Sequence, residues 1–160
     1  MEAIEIKDIL VSECEKFNSY LTTHGGGYIT TDVLSEKRDM CVMGFRVSIP
    51  DSPSNFESVG FLGFIHEDQI QYYMSLAKVN ESQVGYAFHL INDINSSFPD
   101  YKFVYSENEN GPDEIEMKYY IDTNFIRDPN DWARLAFTFG HRLDLCRAEY
   151  KKAWEHLGAL

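Results

Sequence analysis

This 160-residue chain is poor in cysteine, in basic charge and in long apolar runs, and each shortage excludes something. Its three cysteines, Cys14, Cys41 and Cys146, are odd in number and far apart, with no C-x-x-C pair. They make no disulfide framework. Each falls on an apolar position of its predicted element and reads as a buried thiol. No apolar stretch is long enough to cross a bilayer. The start, Met1-Glu2-Ala3-Ile4-Glu5, lacks the basic residues and apolar core of a secretory signal, so a cytoplasmic protein is expected. Lysine and arginine number 14 against 26 aspartates and glutamates, a net charge of −12. Such a balance repels phosphate, which argues against nucleic acid and anionic membrane as partners. The nearest basic cluster, Arg142, Arg147, Lys151 and Lys152, lies in the last predicted helix, where cations suit the negative end of the dipole.

Catalytic patterns are missing as well. No two of the five histidines stand at the i, i+4 spacing of a helical metal pair, and no H-E-x-x-H occurs. His66-Glu67-Asp68 places an imidazole beside two carboxylates, but neighbours in a tight turn point apart. Gly25-Gly26-Gly27 comes in the order helix, glycines, strand, the reverse of a phosphate-binding loop. The serines lack a G-x-S-x-G elbow. Glu114 and Glu116 share a strand face with Lys118, and on an open sheet they are solvated and paired with that lysine. The loop from Asn108 to Asp113 lacks the regular acidic ligands of a calcium loop. The 11 Phe, 10 Tyr and 2 Trp, without basic neighbours, read as core and interface rather than base-stacking platforms. No catalytic residue, metal site or cofactor is expected, and the protein reads as not an enzyme.

What the sequence does hold is periodicity. Hydrophobic residues make up 44% and charged residues 25%, which places the chain among globular proteins rather than disordered or fibrous ones. Ile6, Ile9, Leu10, Cys14, Phe17 and Leu21 predict a helix over 4–21, with Glu5, Lys7, Asp8 and Glu15 on its other faces. Residues 28–35 and 40–49 read as strands, the second through Cys41, Met43, Phe45, Val47 and Ile49. Pro50 to Ser54 breaks the pattern. Val59–Ile65 and Ile70–Leu76 predict a hairpin. Asn80 and Gln83 supply a capping box for a helix to about Ser97, with Val84, Ala87, Phe88, Ile91 and Ile94 buried. A second hairpin pairs 101–106 with 114–122. Asp128 and Pro129 open a long terminal helix whose stripe runs from Trp132 to Leu157, about 40 Å.

Helices at the start, middle and end with hairpins between them give an α+β fold. It has a mainly antiparallel sheet of 5–6 strands and three helices, in α-β-β-β-α-β-β-α-like order, as a single domain over 1–160. If helices cover one face, alternation turns Leu62, Phe64, Tyr73, Val104 and Tyr120 to the other. An apolar cluster there marks a contact surface. The alternative is that the terminal helix or residues 28–39 cover it.

Leu90-Ile91-Asn92-Asp93-Ile94-Asn95 at the end of the middle helix, followed by the 101–122 hairpin and the helix 130–157, resembles the YbjN family. Beyond that family it is similar to the type III secretion chaperone fold. The likeness covers roughly 59–157, and the chain has up to four strands before the middle helix where that fold has three. The resemblance implies a non-enzymatic, often dimeric module that binds a protein or peptide segment. Two other readings stand beside it. One is a small-ligand binder or enzyme with a pocket between sheet and terminal helix, with His89 or His141 in it. The other is an immunity-type inhibitor whose acidic face blocks a basic toxin.

Overall fold

In the computed structural model, which describes residues 1–54 and 58–159, six strands form one antiparallel sheet in the order β1-β2-β3-β4-β6-β5. The strands are β1 (Tyr28–Glu36), β2 (Cys41–Ser48), β3 (Val59–His66), β4 (Gln69–Val79), β5 (Lys102–Ser106) and β6 (Asp113–Asp122). The helices are α1 (Ala3–Thr23), α2 (Val84–Ser97), α3 (Pro129–Glu149) and α4 (Lys151–His156). The α+β class, the hairpins and the order of elements are those the periodicity predicts, with all four strands present before the middle helix. The described residues form two compact units: 1–72 with 120–145, and 73–119 with 146–160.

In the first unit, alternation does what the pleat requires. Cys41, Met43, Phe45 and Val47 of β2 are buried, as are Val59, Phe61 and Ile65 of β3. Phe45 stacks on Phe61 at 5.1 Å, and Phe139 of α3 lies 4.8 Å from Phe61. Gly140 lets α3 approach β2 so closely that an added Cβ would sit 2.9 Å from the Val47 side chain. The Tyr72 hydroxyl donates to the Trp132 carbonyl at 2.7 Å. Helix α1 joins the same side, with Phe17 edge-on to Phe137 at 5.8 Å. Its Asn18 Oδ1 accepts the Ile29 N–H at 3.0 Å. Lys7, expected on a solvent face of α1, is instead buried. Its ammonium pairs with the carboxylates of Asp8 and Glu36, and those hydrogen bonds hold its pKa above the ordinary lysine value. The exit from α1 runs through Gly27 at φ 92°, where an added Cβ would lie 2.1 Å from the Ser48 carbonyl oxygen.

Asp128 caps α3 as predicted, its Oδ1 accepting the Asn130 N–H at 3.0 Å. The predicted helix to residue 157 does not continue unbroken. It stops at Glu149, Tyr150 leaves helical geometry at φ −110° and ψ 27°, and α4 follows. Side-chain hydrogen bonds of the second unit account for the break. The Tyr150 hydroxyl reaches the Asp93 carbonyl at 3.2 Å and Ser97 Oγ at 2.8 Å. The Trp154 indole N–H donates to the Cys146 carbonyl at 3.1 Å.

Also in the second unit, the capping box before α2 is not formed. A 3-10 turn, Glu81–Gln83, precedes the helix. Asn80 Oδ1 accepts from Ser82 Oγ at 2.8 Å, and the Gln83 amide donates to the His156 carbonyl at 3.1 Å, so it does not reach back. Phe88, predicted in the buried stripe, is 49% exposed and stacks on Tyr105 at 4.5 Å, while Leu90 takes the buried place. Asn95 bonds both backbone groups of Phe103, donating to its carbonyl at 3.1 Å and accepting its N–H at 3.2 Å. Since β5 is an edge strand, Asn95 satisfies groups that the ladder leaves unpaired.

Candidate functional site

The candidate site grows from the one-sidedness of the first unit. Both α1 and the part of α3 in the first unit lie on the face of Phe45 and Phe61, so the alternate residues of β1–β3 face away from them. Register puts Phe64 opposite Val42 and Leu62 opposite Gly44, with Gly44 opposite Asp32 on the other side. A bulge between Val33 and Ser35 re-aims β1 there. It leads Leu34, 55% exposed, over Gly44, with a methyl 3.7 Å from where a Cβ would stand. Leu34, Val42, Leu62 and Phe64 therefore share one apolar surface. Leu62 and Phe64 are half-buried, and Tyr120 is 46% exposed.

Tyr120 belongs to the wall of a hollow of about 400 Å³ at the β3–β4 turn, lined with Glu67, Asp68, Gln69, Ile121, Asp122 and Asn124. Phe125 follows it, 87% exposed. The turn that carries Phe125 is tied down: the N–H groups of Phe125 and Ile126 donate to the Asp122 carbonyl at 3.1 and 2.9 Å. The Asn124 N–H donates to Asp122 Oδ1 at 2.9 Å.

Tyr73 and Val104, the other two residues predicted for the surface, belong to the second unit and are half-buried. Their surroundings are polar. Val104 stands opposite Glu116 in the β5–β6 register, and the Tyr73 hydroxyl bonds to Glu116 and Glu114. Glu116 Oε2 lies 3.2 Å from Lys118 Nζ, as predicted, but the Glu116 side chain is 8% exposed rather than solvated. Burial, with the two carboxylates adding to it, pushes the Tyr73 phenol up to about 12. A phenol whose folded pKa lies above its unfolded value of 10.0 stabilises fully below that pH and loses its contribution as pH climbs toward 12. Phenolate absorbance during alkaline titration is expected to show Tyr73 and Tyr105 ionising late, both pushed up to about 12, and Tyr73→Phe to cut that late step by about half.

Several predicted sites find their places. His66 and His89 are exposed, His89 with its side chain 81% accessible and 3.8 Å from Asp93, and His141 is half-buried. The sheet–helix space of the first unit, where a pocket is one expectation, is occupied by Phe45, Phe61, Tyr72 and Phe139. All three cysteines are free and buried, and burial pushes Cys14 and Cys146 up to about 12. Among the described residues no group of three or more histidine, cysteine, aspartate or glutamate side chains is arranged to hold a metal. Likewise no described helix is long and apolar enough to cross a membrane.

Two features escape sequence reading. Phe125 has no periodic neighbours to flag it. Asp144 is fully buried, its Oδ1 accepting hydrogen bonds from Ser52 at 2.7 Å and from Ser54. Its Oδ2 has no partner among the described residues. The available signal was a carboxylate next to Leu143 on the apolar stripe of α3. Through it, Ser52 and Ser54 are fastened to α3.

With this geometry in place, the class is a YbjN-like α+β fold. The crystal structure of YbjN from E. coli, a candidate transcription regulator, is similar at a TM-score of 0.55 and 10% identity, covering 88% of this chain and 92% of that one. At that identity the likeness carries the fold alone. No family model and no curated protein matches the sequence.

Proposed function

We propose that this chain is a non-enzymatic, chaperone-like or regulatory module that binds a protein or peptide segment on the sheet face of its first unit that turns away from α1 and α3. The observation that carries the reading is the apolar surface of Leu34, Val42, Leu62 and Phe64, on the side of β1–β3 away from α1 and α3. Surfaces of this kind are the usual seat of polypeptide contacts. The resemblance to the YbjN family and secretion chaperones supports the same reading. A nucleic-acid role is disfavoured by the net charge of −12. The cytoplasm suits three buried free thiols.

The test is binding to an array of unfolded polypeptide segments. Leu62→Glu is expected to weaken binding about tenfold, since burying one leucine side chain is worth about 1.5 kcal/mol or more. Thermal unfolding of the variant checks that it remains folded, since Leu62 is half-buried. Wild-type protein that binds no segment, or binding indifferent to Leu62→Glu, would refute the reading. A homodimer belongs to the proposal too, and light scattering is expected to give twice the 18.5 kDa of one chain.

A further inference from the structure

We infer that Asp144 of α3, together with Ser52 and Ser54, forms a binding site for a small, hard monovalent cation of the sodium class. Asp144 is 0% exposed and follows the buried Leu143 on the apolar stripe of α3. A carboxylate taken out of water is strongly disfavoured unless its charge is compensated, which is why buried charges in proteins are paired or bound to a metal ion. Among the described residues the Asp144 carboxylate has no partner but two neutral hydroxyls, and its Oδ2 has none at all.

Hydrogens are short as well. Each serine hydroxyl carries one, and both are donated to Asp144 Oδ1, from Ser52 at 2.7 Å and from Ser54. Oδ2 and the lone pairs of both Oγ atoms are left over. The cluster is therefore rich in acceptors and short of positive charge. Ser52 Oγ and Ser54 Oγ stand 3.2 Å apart. Oxygens that ligate an ion of sodium or calcium size at about 2.4 Å lie about 3.4 Å from one another, so the serines already hold the spacing of neighbouring ligands.

The chemistry of the donors selects the ion. All are hard oxygens, which soft, thiophilic metals do not prefer. One carboxylate is balanced by one positive charge, whereas a divalent ion would leave a buried excess. An organic cation is too large for a carboxylate with no exposed surface. The way in is the segment that carries the serines. Ser52 and Ser54 are half-buried, while Asp51 and Pro53 are exposed, so an ion reaches Asp144 by passing beneath a surface strap. Asp51 adds negative charge at that entrance. A bound ion shares its ligands between strap and helix and fastens the one to the other.

The probe is the metal ion alone, added to the full chain. Urea unfolding is followed as sodium chloride replaces choline chloride at constant total salt, so that screening does not change. A site of about 10 mM affinity raises the folding equilibrium constant about tenfold at about 0.1 M sodium, and that gain is expected here. Sodium NMR lines should broaden in the presence of the protein. Asp144→Asn keeps the shape, removes the charge and should abolish both effects. Ser52→Ala with Ser54→Ala leaves the carboxylate in place and should weaken binding about tenfold or more, which keeps the test open if Asp144→Asn does not fold.

Equal stability in sodium and choline chloride, with unbroadened lines, would overturn the site. A sodium effect that persists in both variants would place the ion elsewhere and overturn it too. Calcium or magnesium stabilising more than sodium, through Asp144, would overturn the monovalent assignment. Stabilisation by acid in choline chloride that Asp144→Asn removes, with no response to sodium, would put a proton in the place of the ion. Any of these failures would leave the polypeptide-binding reading as it stands.

Discussion

Gly27→Ala is expected to cost about 3 kcal/mol or more of folding stability, from a left-handed backbone and overpacking at one position. Gly27 sits at φ 92°, and its missing side chain would meet the Ser48 carbonyl oxygen at 2.1 Å. A backbone oxygen in a sheet ladder cannot swing aside as a side-chain tip can. Either the exit from α1 or the end of β2 must therefore move. Gly25→Ala is the control: its φ is 68°, but nothing lies within 4 Å of the added carbon. It should cost about 1 kcal/mol, the conformational part alone. Urea unfolding of both variants measures the difference. A Gly27→Ala loss no larger than that of Gly25→Ala would mean that the turn re-forms without contact to Ser48.

Phe139→Ala should lose about 3–5 kcal/mol, because the ring is fully enclosed and its neighbours cannot collapse into the space. Phe61 at 4.8 Å and Tyr72 at 6.0 Å are held by the sheet, and the hydroxyl of Tyr72 is bonded to Trp132. Phe125→Ala makes the same truncation on a ring that is 87% exposed and should stay within about 0.5 kcal/mol of the parent. For a protein of ordinary stability, about 5–15 kcal/mol, the core variant gives up a large share of the total. Equal losses from the two truncations in denaturant titration would contradict the core described here.

The elements that sequence reading recovers are those in which a single period dominates. Cys41, Met43, Phe45 and Val47 of β2, Ile115, Met117 and Ile121 of β6 and the α1 stripe apart from Ile9 are buried where alternation and helical spacing place them, whereas Ile9 and Tyr119 are half-buried. It fails where tertiary hydrogen bonds override a local preference. Tyr150 has good helical spacing, yet its hydroxyl is bound to Asp93 and Ser97, and the helix breaks. Gln83 fits a capping box, yet its amide is taken by His156. Lys7 sits on the polar side of α1 by type, but Glu36 at the end of β1 draws it inward.

The candidate surface was legible in part, for a related reason. Leu62, Phe64 and Tyr120 follow from strand parity. Leu34 does not, because the bulge shifts the phase of β1 by one residue. Tyr73 and Val104 have the right parity but sit beside a buried carboxylate, and no alternation rule reveals that Glu116 is enclosed.

The bulge has a bearing on handling as well as on recognition. An outermost strand of nine residues is normally a template on which further molecules can stack into fibrils. Here the run is kinked after six residues, and Asp32 stands exposed beside the kink. Growth by stacking would have to align like charges across an uneven backbone. Concentrated solutions of the folded protein should accordingly stay clear, and any tendency to gel would start from unfolded chains.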